Sequence, residues 1–523
     1  MLCRKLHRLD AHFYLALEIF PVRVPIVSKS ALSLTFFLCL SSQLILSGCN
    51  GSPVDDASTE EAQTAPSQAD GHSSSSKFGP LQELKPGEAP EPAIAGTWQS
   101  LGYGWYFVID ADGVAQYQHA GDLCFKPDED TAGSTETLSL DYRFYRTGPN
   151  PNEAILQLLP DDTEIRVQRL DALPESCSQP LNGSYAETFE YFAALMSAEY
   201  AFFEERKIHW SARVVEAWTR LPEVQTDEEF FQFLASCLEN FSDSHTKLMA
   251  RIDGEKKKVQ DGQGVTLPAL RAEGREMQWL VGIFQQLQTQ VLDPGSRHVA
   301  NDRILWGTLQ GGKVGYLTVF TMGGFSGVDI GDPAFREAEF EVFDQVMDEA
   351  LTAMKDAEAV ILDLSNNRGG YDAISRRLAG RFAAEPFDAY STRTPSSGLP
   401  ARMRTIEPAQ GVRYTGPVFL LTSDVTVSGG ELATLALRQL PNVRHVGRTT
   451  RGSFSTVLSK PLPNGWILEL SNEIFASPDG QVHEEIGLIP ETDIEVFPLS
   501  DPIAGHADAL TAILDLLESK DAA

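Results

Sequence analysis

Val314-Gly315-Tyr316-Leu317-Thr318-Val319 and Ala359-Val360-Ile361-Leu362-Asp363-Leu364 read as two buried strands, and the stretch between them carries a helical pattern from about Phe335 to Lys355. Strand, helix, strand in that order is a crossover unit, which favours parallel pairing with the helix packed on the sheet. The alternation continues. Arg376 to Ala384 predicts a helix, Val418-Phe419-Leu420-Leu421-Thr422 a buried strand, and Gly430 to Leu440 the helix after it. Residues 303–500 therefore form an α/β core with a largely parallel sheet, and 501–523 a C-terminal helix.

Upstream the pattern changes twice. Phe189, Phe192, Met196, Tyr200 and Phe203 fall three or four apart, and Thr226-Asp227-Glu228-Glu229 has the spacing of a capping box, so 183–302 reads as a helical segment. It is broken by Ser242-Asp243-Ser244-His245-Thr246. Between 93 and 182, short alternating runs such as Trp105-Tyr106-Phe107-Val108-Ile109 are punctuated by Asp110-Ala111-Asp112-Gly113, a hairpin signal, and predict a separate small β domain. Residues 49–92 are rich in Ser, Ala, Pro, Glu and Asp, with too few large apolar side chains to fold, and read as a tether. Residues 1–48 hold an apolar run from Ala31 to Leu46 after Arg23 and Lys29, a signal-peptide pattern. It ends in Leu46-Ser47-Gly48-Cys49, which resembles a lipoprotein cleavage site with Cys49 as the lipidated residue. That implies an exported chain, anchored to a bacterial membrane and facing the periplasm or the cell exterior.

Acidic residues number 73 against 42 Lys plus Arg, for a net charge of -31. Such a surface repels phosphate backbones, so nucleic acid is excluded as a partner. Six cysteines are present, and Cys124, Cys177 and Cys237 lie beyond the leader and anchor. Export places them where disulfides persist, and Cys124 and Cys177 share the β-rich region, so these two are expected to pair. Cys237 sits in an apolar helical pattern and reads as a buried thiol. There is no CxxC pair and no His-x-x-x-His helix, so no metal or other cofactor is expected.

A serine hydroxyl becomes a nucleophile only with a turn that exposes it, a base within reach and backbone donors for the oxyanion. Ser423-Asp424-Val425-Thr426-Val427-Ser428-Gly429-Gly430-Glu431 leads from a strand into a helix and offers such a turn, although a serine there is most often a helix cap. Asp363-Leu364-Ser365-Asn366-Asn367-Arg368-Gly369-Gly370 ends another strand with paired glycines that let the backbone approach a ligand.

Together with Glu484-Glu485-Ile486-Gly487-Leu488-Ile489-Pro490-Glu491, these segments resemble the ordered motifs of the tail-specific (C-terminal processing) serine peptidase family. The resemblance covers roughly residues 185–500 and implies a crotonase-like core. The family has a Lys-based and a His-based catalytic version. Val446-Gly447-Arg448-Thr449-Thr450-Arg451-Gly452-Ser453 places Ser453 where the Lys version has its amine, and Lys460 falls past the turn. Ser244-His245 fits the His version, which is similar to the tricorn core protease. The resemblance thus implies Ser428 as nucleophile, His245 as general base, Ser244 and Glu484 as groups that orient and polarise the imidazole, and Gly369 and Gly429 as the oxyanion hole. Glu485 competes with Glu484, and His483 is a fallback for the base; His445 and His483 otherwise read as surface residues. Arg368 and Gly429-Gly430 depart from the family pattern, and no stretch between His245 and Lys313 is long enough for a PDZ domain. The implied activity is hydrolysis of peptides or unfolded proteins through an acyl-enzyme. The alternatives are an inactive peptide- or ligand-binding lipoprotein with the same core, and, less compatible with export, an acyl-CoA enzyme. Oligomeric state is left open.

Overall fold

The computed structural model describes residues 78–521 apart from 86, 128–141, 161, 180, 331 and 333. The leader, Cys49 and most of the tether lie outside the described residues.

Eight strands open the chain: β1 Gln82–Glu83, β2 Gly96–Ser100, β3 Trp105–Asp110, β4 Gly113–Ala120, β5 Leu123–Phe125, β6 Phe144–Thr147, β7 Glu153–Gln157 and β8 Ile165–Leu170. They form one antiparallel sheet in the order β1-β6-β7-β8-β2-β3-β4-β5. Its first strand begins eleven residues ahead of the expected domain start, because Gln82 and Glu83 pair with Tyr145 and Phe144. The predicted hairpin is β3–β4, closed where Asp110 pairs with Gly113. Cys124 and Cys177 are joined by a disulfide.

Three helices follow, α1 Tyr185–Glu199, α2 Trp210–Arg220 and α3 Asp227–Cys237. The Thr226–Glu229 capping box starts α3, and Cys237 at its end is a buried free thiol. The apolar face of these helices and that of the first sheet share one core, in which Trp98 and Phe107 join Phe189, Phe192 and Phe230. The expected helical segment also contains strands. The hairpin β9 Lys247–Ile252 and β10 Glu255–Gln260 begins two residues after His245, and α4 Thr266–Ala272 and α5 Glu276–Gln286 come after it.

The α/β core comprises β11 Arg297–Val299, β12 Ile304–Leu309, β13 Val314–Val319, α6 Phe335–Ala353, β14 Ala359–Asp363, α7 Asp372–Gly380, β15 Phe387–Arg393, β16 Arg402–Ile406, β17 Val418–Thr422, α8 Gly429–Leu437, β18 Val443–Gly447, β19 Val457–Pro461, β20 Ile467–Ser471, β21 Ile474–Ala476, β22 Thr492–Asp493 and α9 Pro502–Asp521. The central sheet runs β11-β12-β13-β14-β17-β18-β22, parallel from β13 onward. Its strands are apolar on both faces, as expected when helices cover both. Leu317, Val360, Leu362, Val418 and Leu420 pack with α6, α7 and α8, while Tyr316, Ile361, Phe419 and Leu421 pack with α4, α5 and α9. A smaller sheet, β10-β9-β20-β19, ties the strand after His245 to the core. The fold is thus a crotonase-like α/β core with a helical cap segment and an N-terminal β layer.

Two local expectations are corrected. The helix expected at 376–384 starts four residues earlier, at Asp372. His445 is fully buried, because β18 lies inside the sheet, and its Nε2 is 2.7 Å from the Thr422 hydroxyl. His483 is also buried rather than on the surface.

Candidate active site

Parallel strands end together, so β14 and β17 deliver their following loops to one edge of the sheet. The β14 loop carries Asn366 to Gly370, and the β17 loop carries Ser428. Ser428 has φ 57° and ψ -121°, a conformation that costs a non-glycine residue roughly 1–3 kcal/mol. Ser428 is also the N-cap of α8 and shares a capping box with Glu431, whose carboxylate accepts the Ser428 amide at 3.3 Å. A strained residue at a strand-to-helix turn is the feature this junction shares with a nucleophile elbow. Gly369 explains the space in front of it. A Cβ there would lie 2.7 Å from Ser428 Cβ and 3.2 Å from its Oγ, so only glycine fits.

Backbone bonds fix this turn. Ser428 N–H donates to Ser453 O at 3.0 Å, and Arg451 N–H donates to Thr426 O at 3.0 Å, so residues 451–453 run alongside 426–428 in the same direction. Glu431, fully buried, accepts the amides of Gly452 and Ser453 at 2.6 and 2.8 Å and that of Ser428 at 3.3 Å. Burial raises its pKa. The Ser453 side chain is buried and makes no hydrogen bond. Lys460 is committed elsewhere: its buried amine donates to the carbonyls of Tyr103 and Gly104 in the β layer at 2.8 and 2.6 Å.

His245 lies on the loop between α3 and β9 and is buried, with Nδ1 free of partners. Its burial lowers the imidazole pKa to about 4, despite the Asp243 charge beside it. Asp243 is the organiser of this loop. It accepts the His245 amide at 2.8 Å and the hydroxyls of Tyr200, Thr246 and Ser471 at 3.0, 3.0 and 3.1 Å. Burial works to raise its pKa, but Arg206, the imidazole and these hydrogen bonds hold it below the ordinary carboxylate value.

Glu484 takes a different place from the one expected. Its Oε1 accepts Arg206 Nη2 at 2.6 Å and its Oε2 accepts the Phe454 amide at 2.9 Å, so the carboxylate faces a guanidinium rather than the imidazole. A buried carboxylate is costly without a counter-charge, and Arg206 supplies it. Burial and the Asp243 charge still push Glu484 up to about 8, against the pull of Arg206. Glu485 also binds Arg206 but is about a third exposed, which leaves Glu484 as the interior member of the pair. Ser244 does not orient the ring either: its hydroxyl is buried without a partner, and its carbonyl accepts Gln260 Nε2. The Gly369 amide, expected in the oxyanion hole, donates to Asn367 Oδ1 at 2.9 Å. Asn367 is itself pinned by its Nδ2, which donates to Val319 O at 2.7 Å. Gly429 stands at the first turn of α8, next to Ser428, where helix amides lack intrahelical partners.

Sequence reasoning missed Asp243 and Arg206. Asp243 was inside a quoted motif. Arg206 was not, yet it bridges the His loop, through Phe241 O at 3.3 Å and Ser242 O, to the Glu loop and to Gly452 O at 3.2 Å. The site therefore brings Ser428, Ser453, Glu484, Asp243 and His245 into one network. Within the described residues His245 Nδ1 has no hydrogen-bond partner, and catalytic hydrogen bonds often tighten only when substrate is present.

Residues 313–496 match the model of peptidase family S41. This part of the chain belongs to that family. The S41 match contains Ser428, Gly369, Gly429 and Glu484, whereas His245, Asp243 and Arg206 precede it. A solved structure of a candidate peptidase from Parabacteroides merdae ATCC 43184 is 21% identical over 65% of this chain and 99% of that one, with a TM-score of 0.52, a likeness of fold. Mature CPAF is 13% identical over 65% and 99% of the two chains, with a TM-score of 0.45. The photosystem II D1 C-terminal processing protease is 14% identical over 62% and 97%, with a TM-score of 0.38. No curated protein matches the chain. The S41 core is that of a peptidase.

Proposed function

We propose that the chain is a serine-type endopeptidase that cleaves exported peptides or unfolded proteins through an acyl-enzyme on Ser428. The observation that carries this reading is the positive-φ conformation of Ser428 packed against Gly369. In the proposed cycle, His245 takes the Ser428 proton as Oγ attacks the scissile carbonyl, and the Gly429 amide at the start of α8 stabilises the developing oxyanion. The imidazolium then returns the proton to the leaving amine, and a water deprotonated by the same ring hydrolyses the ester. Asp243 supports the imidazole through its loop, and Glu484 shapes the field through Arg206. The leader pattern supports export with a lipid anchor at Cys49, which Cys49→Ser would release from the membrane fraction.

A second reading, a binding protein that uses the same core without turnover, draws on the engagement of Glu484 by Arg206 and on the unpartnered Nδ1 of the imidazole. Hydrolysis of unfolded casein by the purified chain separates the two. The peptidase reading expects cleavage that disappears in Ser428→Ala and His245→Ala. No cleavage by the unsubstituted chain, or full cleavage by the folded Ser428→Ala variant, would overturn it.

A further inference from the structure

Two guanidiniums at the candidate site are treated differently by their surroundings. Arg206 meets Asp243, Glu484 and Glu485. Arg451 forms no ion pair with a carboxylate among the described residues, although the Asp424 and Glu431 charges reach it. Its Nε donates to the Asp424 backbone carbonyl at 2.7 Å, and its buried Nη2 has no hydrogen-bond partner.

The carboxylates within reach of its charge are already taken. Asp424 accepts the amides of Val265 and Thr266 at 2.7 and 2.8 Å and the Thr266 hydroxyl at 2.7 Å. Glu431 is taken by the amides described above. Burial lowers the Arg451 pKa to about 10 against the pull of the Asp424 and Glu431 charges, with Arg368 and Arg271 adding positive charge nearby. A desolvated guanidinium nitrogen without an acceptor is costly, and a group of this kind in a native site calls for a partner. The side chain is half-buried rather than sealed. It also belongs to the segment that flanks the nucleophile, since Arg451 N–H bonds Thr426 O and Ser453 O accepts Ser428 N–H. Its charge is felt at the His245 imidazole.

Building on the peptidase reading, we propose that Arg451 is a substrate-binding residue whose Nη2 receives a carboxylate of the peptide, so that the site selects acidic peptides or free chain ends. Guanidinium and carboxylate form charge-assisted hydrogen bonds roughly twice as strong as neutral ones. In a chain of net charge -31, a local cation of this kind also offsets the general repulsion of acidic substrates.

The test measures peptide dissociation constants by fluorescence anisotropy on the full-length Ser428→Ala chain, so that binding is read without turnover. One peptide pair differs only in Glu against Gln and has an amidated end. The other lacks acidic side chains and differs only in a free or amidated C-terminus. The expected result is about tenfold tighter binding of the carboxylate member of one pair, which also identifies whether the side chain or the terminus is read. The ratio should fall to about one in Arg451→Gln and shrink with added salt, while Arg451→Lys, which keeps the charge but not the fork, should retain part of it. Equal binding of both members of both pairs, or a preference that persists in Arg451→Gln, overturns the proposal. Should Arg451→Gln not fold, a preference insensitive to salt and to Arg451→Lys overturns it equally. Casein hydrolysis by the unsubstituted chain, measured in parallel, keeps the two claims apart: absent turnover with an intact, Arg451-dependent preference sinks the peptidase reading and supports the carboxylate subsite.

Discussion

The N-terminal β layer and the Ser428 region are both well packed, but they distribute backbone strain in opposite ways. Among the described residues of 78–182, positive φ occurs only at glycines. Around the candidate site it occurs at Lys207, Asn240, Ser242, Ser428 and Glu485, with φ between 56° and 71°. Each of these residues is a neighbour in sequence of, or is itself, a group that positions the site: Lys207 follows Arg206, Asn240 and Ser242 precede Asp243, and Glu485 follows Glu484. Strain that survives in a folded chain is held by surrounding contacts and concentrates where geometry serves function. The β layer, a set of hairpins fastened by one disulfide, has only to be stable. The site has to hold a hydroxyl, an imidazole and buried carboxylates in a geometry that relaxed backbone would not give.

The largest effect should come from Ser428. Ser428→Ala and Ser428→Gly should each reduce peptide hydrolysis by about 10³-fold or more. Only Ser428→Gly should also stabilise the chain, by about 1 kcal/mol or more, because glycine accepts the positive φ without cost. Equal stability of the two variants in denaturant titrations would show that the turn is not strained.

Arg206→Met should be next, since it leaves Asp243 and Glu484 buried without their shared cation. Loss of one partner of a buried ion pair typically costs about 3–5 kcal/mol, and chemical denaturation reads it directly. A cost near that of a surface substitution would mean that the hub is decorative. Opening the disulfide by replacing both Cys124 and Cys177 with Ser should cost about 2–4 kcal/mol. Hydrogen exchange should place that loss in β5 and the residues around Cys177 and leave the Ser428 turn protected; a loss spread into the turn would break the contrast between the two regions.

The smallest effects are in pH dependence. Glu484 has a folded pKa raised to about 8 from 4.5, so its contribution to stability is full below about pH 4.5 and is lost as pH rises toward 8. Glu484→Gln should flatten the stability profile across that window. His245 shifts the other way, from 6.5 to about 4, so its contribution is present above pH 6.5 and is lost as pH falls toward 4. The acid limb of kcat/KM should accordingly lie near pH 4, well below the value of about 6.5 for a free imidazole. A limb at 6.5 that vanishes in His245→Ala would place the working imidazole in water rather than in the buried position.

Much of the fold was legible because it rests on local pattern. The strands at 314, 359 and 418 and the intervening helices follow from periodicity and from runs long enough to be covered on both sides. The Thr226 capping box is likewise a local signal. The hairpin β9–β10 was lost because its outer strand β10 is polar and exposed, which leaves only the short alternation of β9 to mark it. At the site, the motifs supplied Ser428, His245 and Glu484 but not their bonds. Arg206 and Glu484 are 278 residues apart, and nothing in a single sequence ties a lone arginine in a turn to a glutamate at that distance. Placing Glu484 on the imidazole followed the family pattern; in this chain the carboxylate takes the cation that burial demands.

The most direct test of the account is to react the full-length protein with a fluorophosphonate and map the adduct by peptide mass spectrometry. The account predicts a single stoichiometric adduct on Ser428, formed far more slowly in His245→Ala. No adduct on the folded protein, or an adduct on Ser453 or Ser244 with Ser428 unmodified, would contradict it.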